Sequence, residues 1–143
     1  RTFSKAYALA GLRVGYLIAA PALVAVMERV RESFNVNALG LAAAAAALRD
    51  VAHLAWSVAR NRDERTALTA ALVQRGFVVL PSQTNFVLVD FGREAAPVEA
   101  ALVARGVVPR PMAGYGLPTC LRITVGTRVD NARLLLALDE AAT

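Results

Sequence analysis

Lys5 is the only lysine among sixteen cationic side chains, and the other fifteen are arginines. Arginine stays protonated, whereas a lysine that is desolvated or set beside another cation can lose its proton and act as a nucleophile or base. On composition alone, a lone lysine snorkelling at the surface is the simpler reading. Spacing argues for more. Thr2 and Ser4 precede the amine, and Arg13 follows it by eight residues across the small-residue segment 8–11. A turn in that segment folds the guanidinium back toward the lysine. Two hydroxyls, a fork-shaped cation and little side-chain bulk suit a bound phosphate, which arginine holds in a bidentate grip.

Arg110 and Arg122 form a second cationic pair, twelve residues apart. Arg110 stands between two prolines in a loop that also offers Tyr115, and reads equally well as an ordinary surface arginine. Arg122 lies between Leu121 and Ile123 in an apolar strand. An unpaired charge is costly there, so this arginine calls for a partner anion. Both can reach one pocket.

Residues 2–16 run Thr-Phe-Ser-Lys-Ala-Tyr-Ala-Leu-Ala-Gly-Leu-Arg-Val-Gly-Tyr. This stretch resembles the cofactor-lysine motif of fold-type I pyridoxal-phosphate aminotransferases, in their histidinol-phosphate branch. The likeness continues through Phe34-Asn-Val-Asn37, Thr84-Asn-Phe86, residues 110–118 and residues 121–127, and so covers the whole chain. It implies that Lys5 carries pyridoxal 5′-phosphate covalently and that Thr2, Ser4 and Arg13 hold the cofactor phosphate. By the same likeness, Arg122 receives the amino-donor carboxylate and helps with the substrate phosphate, and Arg110 is an additional phosphate arginine. Asn85, before Phe86, is either part of the pocket wall or a turn residue that starts a strand.

The resemblance implies an enzyme of histidine biosynthesis working on a phosphorylated amino compound with glutamate and 2-oxoglutarate, as a cytoplasmic homodimer. Within the same family, a threonine-phosphate decarboxylase would keep Lys5 and Arg13. From another class, a non-catalytic regulatory module could retain the shape. The residues that in this family precede the motif, including those facing the cofactor ring, lie outside the sequence, so the chain alone is expected to be inactive.

Composition narrows the alternatives. Of the 143 residues, 57% are hydrophobic and 19% charged, which argues for a packed core and against disorder. The net charge of +5 would raise nucleic acid as a partner, but the arginines are interleaved with acids, as in residues 28–32 and 61–65. Such charge reads as a solvated helix face. One cysteine, Cys120, and one histidine, His53, exclude an internal disulfide and the usual zinc constellations. Cys120 reads as a small buried hydrophobe. The apolar run 39–48 is too short to span a bilayer, and no signal peptide is recognisable.

The elements that position these residues follow from periodicity. Residues 12–20 read as a buried strand, 22–33 as an amphipathic helix, and an alanine-dense helix follows Asn37, its cap. A long helix runs from Asp50 to about Arg75, with a wet, charged middle at 60–65, and Gly76 stops it. Beyond it come strands at 77–80 and 85–91, a helix at 97–105, strands at 107–109 and 121–125, and a closing helix at 130–142. The family resemblance implies the fold class, α/β of fold type I. Residues 1–48 are expected to be the tail of a large, mainly parallel-sheet domain, 49–75 a connecting helix, and 76–143 a small α+β domain.

Overall fold

The computed structural model describes residues 1–141. Two compact units divide the chain, Arg1–Val58 and Ala59–Thr143.

In the first unit the backbone doubles back on itself. Phe3 donates to the Val14 carbonyl at 3.1 Å, Tyr16 donates to that of Arg1 at 2.9 Å, and an isolated antiparallel bridge joins Thr2 to Gly15. A 3-10 turn, Ala10–Leu12, closes the loop. Helix α1 (Pro21–Glu28) opens with proline at its start, where the missing N–H would have had no partner. Helix α2 (Ala38–Arg49) is capped as expected: the Asn37 Oδ1 accepts from the Gly40 N–H at 2.7 Å. A small cluster of Phe3, Val14 and Ala44 is buried, with Tyr7, Leu9, Leu12, Val36 and Ala47 packed against it.

Two expectations fail in this unit for one reason. Residues 12–20 form no strand beyond the single bridge, and Tyr16, Leu17 and Ile18 are exposed. A strand exists only where its backbone N–H and C=O groups find a neighbour, and past Tyr16 none is available among the described residues. Helix α1 likewise stops at Glu28 rather than near residue 33. Its apolar stripe of Leu23, Val26, Met27 and Val30 stays exposed, so no burial rewards extending so short a helix. Arg31 instead bonds to Glu28 at 2.9 Å and to Asn35 at 3.1 Å.

Helix α3 (Val51–Gln74) runs across the unit boundary. The second unit then builds strands β1 (Val78–Leu80) and β2 (Phe86–Asp90), helix α4 (Ala96–Ala104), strands β3 (Arg110–Pro111) and β4 (Cys120–Thr124), and helix α5 (Arg128–Ala141). The sheet is antiparallel throughout, in the order β1-β2-β4-β3. Alternation along β2 and β4 sends Val87, Val89, Leu121 and Ile123 into a core with Leu68 and Leu72 of α3, Val98 and Leu102 of α4, and Leu134 and Leu138 of α5. Cys120 is buried, as its small apolar character suggested. Gly76, at φ 84°, ends α3 in the left-handed conformation that glycine adopts without penalty. Residue 142, where the closing helix was expected to end, lies outside the described residues.

Two corrections apply here. The strand expected at 107–109 forms instead at Arg110–Pro111. Val107 spends its N–H on the Leu102 carbonyl at the end of α4, and Pro109 has none to give. The charged middle of α3 is not uniformly wet. Asn61, Glu64 and Arg65 are partly buried, and the Asn131 amide donates to the Glu64 carboxylate at 3.1 Å. Among the described residues, no single helix is long and apolar enough to cross a membrane.

Candidate active site

In the first unit, Thr2, Ser4, Lys5 and Arg13 occupy the doubled-back loop. The Thr2 hydroxyl donates to the Ser4 Oγ at 2.9 Å and accepts from the Ser4 N–H at 3.1 Å, so the two hydroxyls are held side by side. The Lys5 side chain is exposed and has no hydrogen-bond or ion-pair partner among the described residues. Its carbonyl accepts from the Ala8 N–H at 2.8 Å. That tight turn places Ala8 at φ 58°, and the 3-10 turn after it ends with Arg13 at φ 57°.

Left-handed backbone at a residue with a side chain costs roughly 1–2 kcal/mol, so Ala8 and Arg13 mark a loop whose shape is imposed rather than relaxed. The Arg13 Nη1 donates to the Ala10 carbonyl at 2.8 Å, which holds the guanidinium back over the loop. Helix α2 supports this arrangement from beneath. The Asn37 Nδ2 donates to the Leu12 carbonyl at 3.3 Å. A Cβ on Gly40 would lie 2.9 Å from a Val14 methyl and 3.2 Å from the Leu12 carbonyl oxygen, so only glycine allows so close an approach.

In the second unit, Arg110 and Arg122 are direct cross-strand partners in the β3–β4 ladder. Residues opposite one another share a sheet face, so the two guanidiniums project from the same side. The Arg110 Nη2 donates to the Tyr115 hydroxyl at 3.1 Å, and its Cζ lies 5.8 Å from the ring centroid. Tyr115 comes from a second 3-10 turn, Ala113–Tyr115. The partner anion expected for Arg122 is absent among the described residues. Its guanidinium instead sits 4.8 Å over the ring of Phe86, a cation–π contact, and it is only partly buried, so the charge is not stranded. Two adjacent cations without carboxylates make a patch ready for an anion. The Asn85 carbonyl accepts from the Val125 N–H at 2.9 Å, which extends the β2–β4 pairing by one bond.

The place of Phe86 beside Arg122 was not read from the sequence, and two supporting residues escaped it altogether: Asn61 and Arg65. Arg65 Nη1 and Asn61 Nδ2 both donate to the Thr84 carbonyl, at 2.8 and 3.1 Å, and Arg65 Nη2 reaches the Gln83 side chain at 3.3 Å. A signal for them existed. Asn61, Arg65, Leu68 and Leu72 follow the i, i+4, i+7, i+11 spacing of one helix face, so the buried stripe of α3 continues upward as polar side chains.

The family profile for aminotransferase class I and II matches residues 1–138. The chain belongs to this family. A histidinol-phosphate aminotransferase of Pseudomonas fluorescens is 51% identical over 138 residues, covering 96% of this chain and 37% of that protein. One from an Anaeromyxobacter species is 52% identical over 139 residues, covering 96% of this chain and 38% of its own. The present chain thus spans under two-fifths of the length of the relatives it matches. The crystal structure of histidinol-phosphate aminotransferase from Sinorhizobium meliloti in complex with pyridoxal-5′-phosphate superposes with a TM-score of 0.89 at 34% identity, over 99% of this chain and 39% of that one. The aminotransferase chain therefore has the α/β fold of fold type I, and the antiparallel sheet is one part of it.

Proposed function

We propose that this chain supplies the cofactor lysine and the substrate arginines of a pyridoxal 5′-phosphate-dependent histidinol-phosphate aminotransferase. The reaction moves the amino group of histidinol phosphate to 2-oxoglutarate, giving imidazole acetol phosphate and glutamate. The observation that carries this reading is the sole lysine of the chain, unpaired, in a loop that also holds the Thr2–Ser4 hydroxyl pair and the left-handed Arg13. The donor set fits the cofactor. Two hydroxyls and a guanidinium suit its phosphate, and a free amine suits its aldehyde.

When bound, the cofactor supplies an electron sink for the pair left at the substrate carbon on proton loss. Lys5 would hold the cofactor through its amine and would serve as the general base that moves the proton at the substrate Cα. Thr2, Ser4 and Arg13 grip the phosphate and fix the orientation. Arg122 takes the substrate carboxylate, and Arg110 joins it on the substrate phosphate; Tyr115 steadies Arg110, and Asn85 lines the wall. Residues 1–48 belong to the large domain, 49–75 to the connecting helix and 76–143 to the small domain. The full-length enzyme works as a cytoplasmic homodimer.

Borohydride reduction of the cofactor-loaded, full-length enzyme, followed by peptide mapping, tests this. A pyridoxyl group on Lys5 is the expected result. A label on any other residue overturns the assignment.

A further inference from the structure

We propose that Arg65 and Asn61 are positioning residues that set the place of the Arg122 guanidinium through the Phe86 ring. All the parts lie in the second unit. Phe86 is the first residue of β2, where a ladder is most prone to fray. Its ring is the platform for Arg122, which pairs with Leu88 on the same strand and so sits diagonally from Phe86 on one sheet face. Whatever fixes residues 82–85 therefore fixes the platform.

Two side chains one turn apart on α3 do so. Asn61 and Arg65 converge on the Thr84 carbonyl, and the second arm of Arg65 reaches Gln83. The turn below is tied internally: the Ser82 hydroxyl donates to the Phe86 carbonyl at 2.6 Å and accepts from the Thr84 N–H at 3.1 Å. The clamp thus joins the helix to a rigid turn, and the turn to the platform. Arg65 makes no ion pair among the described residues, so its guanidinium is committed to this one task. A lysine there, a single point charge, could not serve the carbonyl and the Gln83 amide oxygen in one plane.

The test has one arm that is independent of turnover. In the full-length protein with arginine side chains isotopically labelled, the Arg122 Nε–H proton resonance should be shifted upfield by the Phe86 ring, and F86L should remove the shift. R65Q should move the resonance at least halfway to its F86L position, R65K should do nearly the same, and R62Q, on an exposed arginine of the same helix, should leave it in place. An R65Q spectrum that retains the full shift overturns the proposal. The second arm rests on the functional reading above: in R65Q, KM for glutamate should rise about five- to tenfold with kcat within twofold, and R65Q combined with F86L should be no worse than F86L alone. Additive losses, or a fall in kcat that tracks a lowered melting temperature, would make Arg65 merely structural. Loss of the shift in a protein that does not transaminate would sink the functional reading and leave the positioning role standing.

Discussion

The two units spend their apolar residues in opposite ways. Among the described residues, the second gathers twelve buried residues from three helices, two strands and Ala95 at the start of α4 into one core, whereas the buried cluster of the first has three, Phe3, Val14 and Ala44. In the first unit Ile18 is 85% exposed, Val30 81% and Phe34 97%, and Leu39 and Leu41 are also exposed. Exposed apolar surface on this scale marks a face made for burial against something else. The lone lysine therefore sits in the half that has little core of its own, and the arginine pair in the half that does. On the proposed function, stability and chemistry should therefore be separable, each open to perturbation without the other.

The sharpest way to break that contrast is at Lys5. K5A in the full-length enzyme should lower kcat by about 10²- to 10⁴-fold, the usual worth of a positioned acid–base group, with no change in the melting temperature of the cofactor-free protein, where no bound ligand contributes to stability. A parallel loss of stability would mean that Lys5 belongs to the structure and not to the chemistry.

Packing should respond in the other unit. Leu102 is fully buried, and L102A should cost about 2–5 kcal/mol in chemical denaturation. I18A should stay within about 0.5 kcal/mol in the chain alone, because an exposed side chain loses no packing. The chain alone should also bind an apolar dye through its first unit. Absence of dye binding together with one cooperative melt would remove the contrast.

Within the second unit, the arginine pair can be divided by substrate. R110A should cost turnover of histidinol phosphate about 1.5–3 kcal/mol, roughly ten- to more than a hundredfold in kcat/KM, and spare glutamate. R122A should impair both. Equal losses for the two donors in R110A would make the β3 arginine structural.

The smallest effect is electrostatic. Arg75 grips Asp139 through two bonds of 2.7 and 2.8 Å, joining the end of α3 to α5. The hydrogen bond from Arg75 holds the Asp139 carboxyl below its ordinary value of 3.8. A carboxyl with a lowered folded-state pKa stabilises above its unfolded value, and that contribution is lost as pH falls through the folded one. Melting temperature should therefore drop below about pH 4 more steeply in the parent than in D139N. E28Q should change nothing, because the pair between Glu28, at the end of α1, and Arg31 beyond it is exposed at both side chains.

What could be read from the sequence follows the same division. The cap of α2, the stop at Gly76 and the strands β2 and β4 were legible because their signals are local or rest on burial that the second unit itself provides. The strand expected at 12–20 depends on a neighbour that no periodicity contains. The ring beside Arg122 was hidden for a related reason: strand register places Phe86 next to it, and register is not visible along one strand. The inward turn of Asn61 and Arg65 was hidden by reading charge as solvent exposure, although their spacing continues the Leu68–Leu72 stripe. Thr2, Ser4, Lys5 and Arg13 were singled out by their residue types and the family likeness, and the structure sets them in one loop; the left-handed backbone that arranges the last of them is a property of the fold.

Gly40 brings the two kinds of information into conflict. Judged as a helix position it is the wrong residue, since alanine there would favour α2 by about 1 kcal/mol. Judged by its neighbours it is the only choice, because one added methyl would press on Val14 and on the carbonyl beside Arg13. Improving this helix by its own rules would move the loop that carries the amine. Directed evolution for a more stable chain should therefore stall at the third residue of α2.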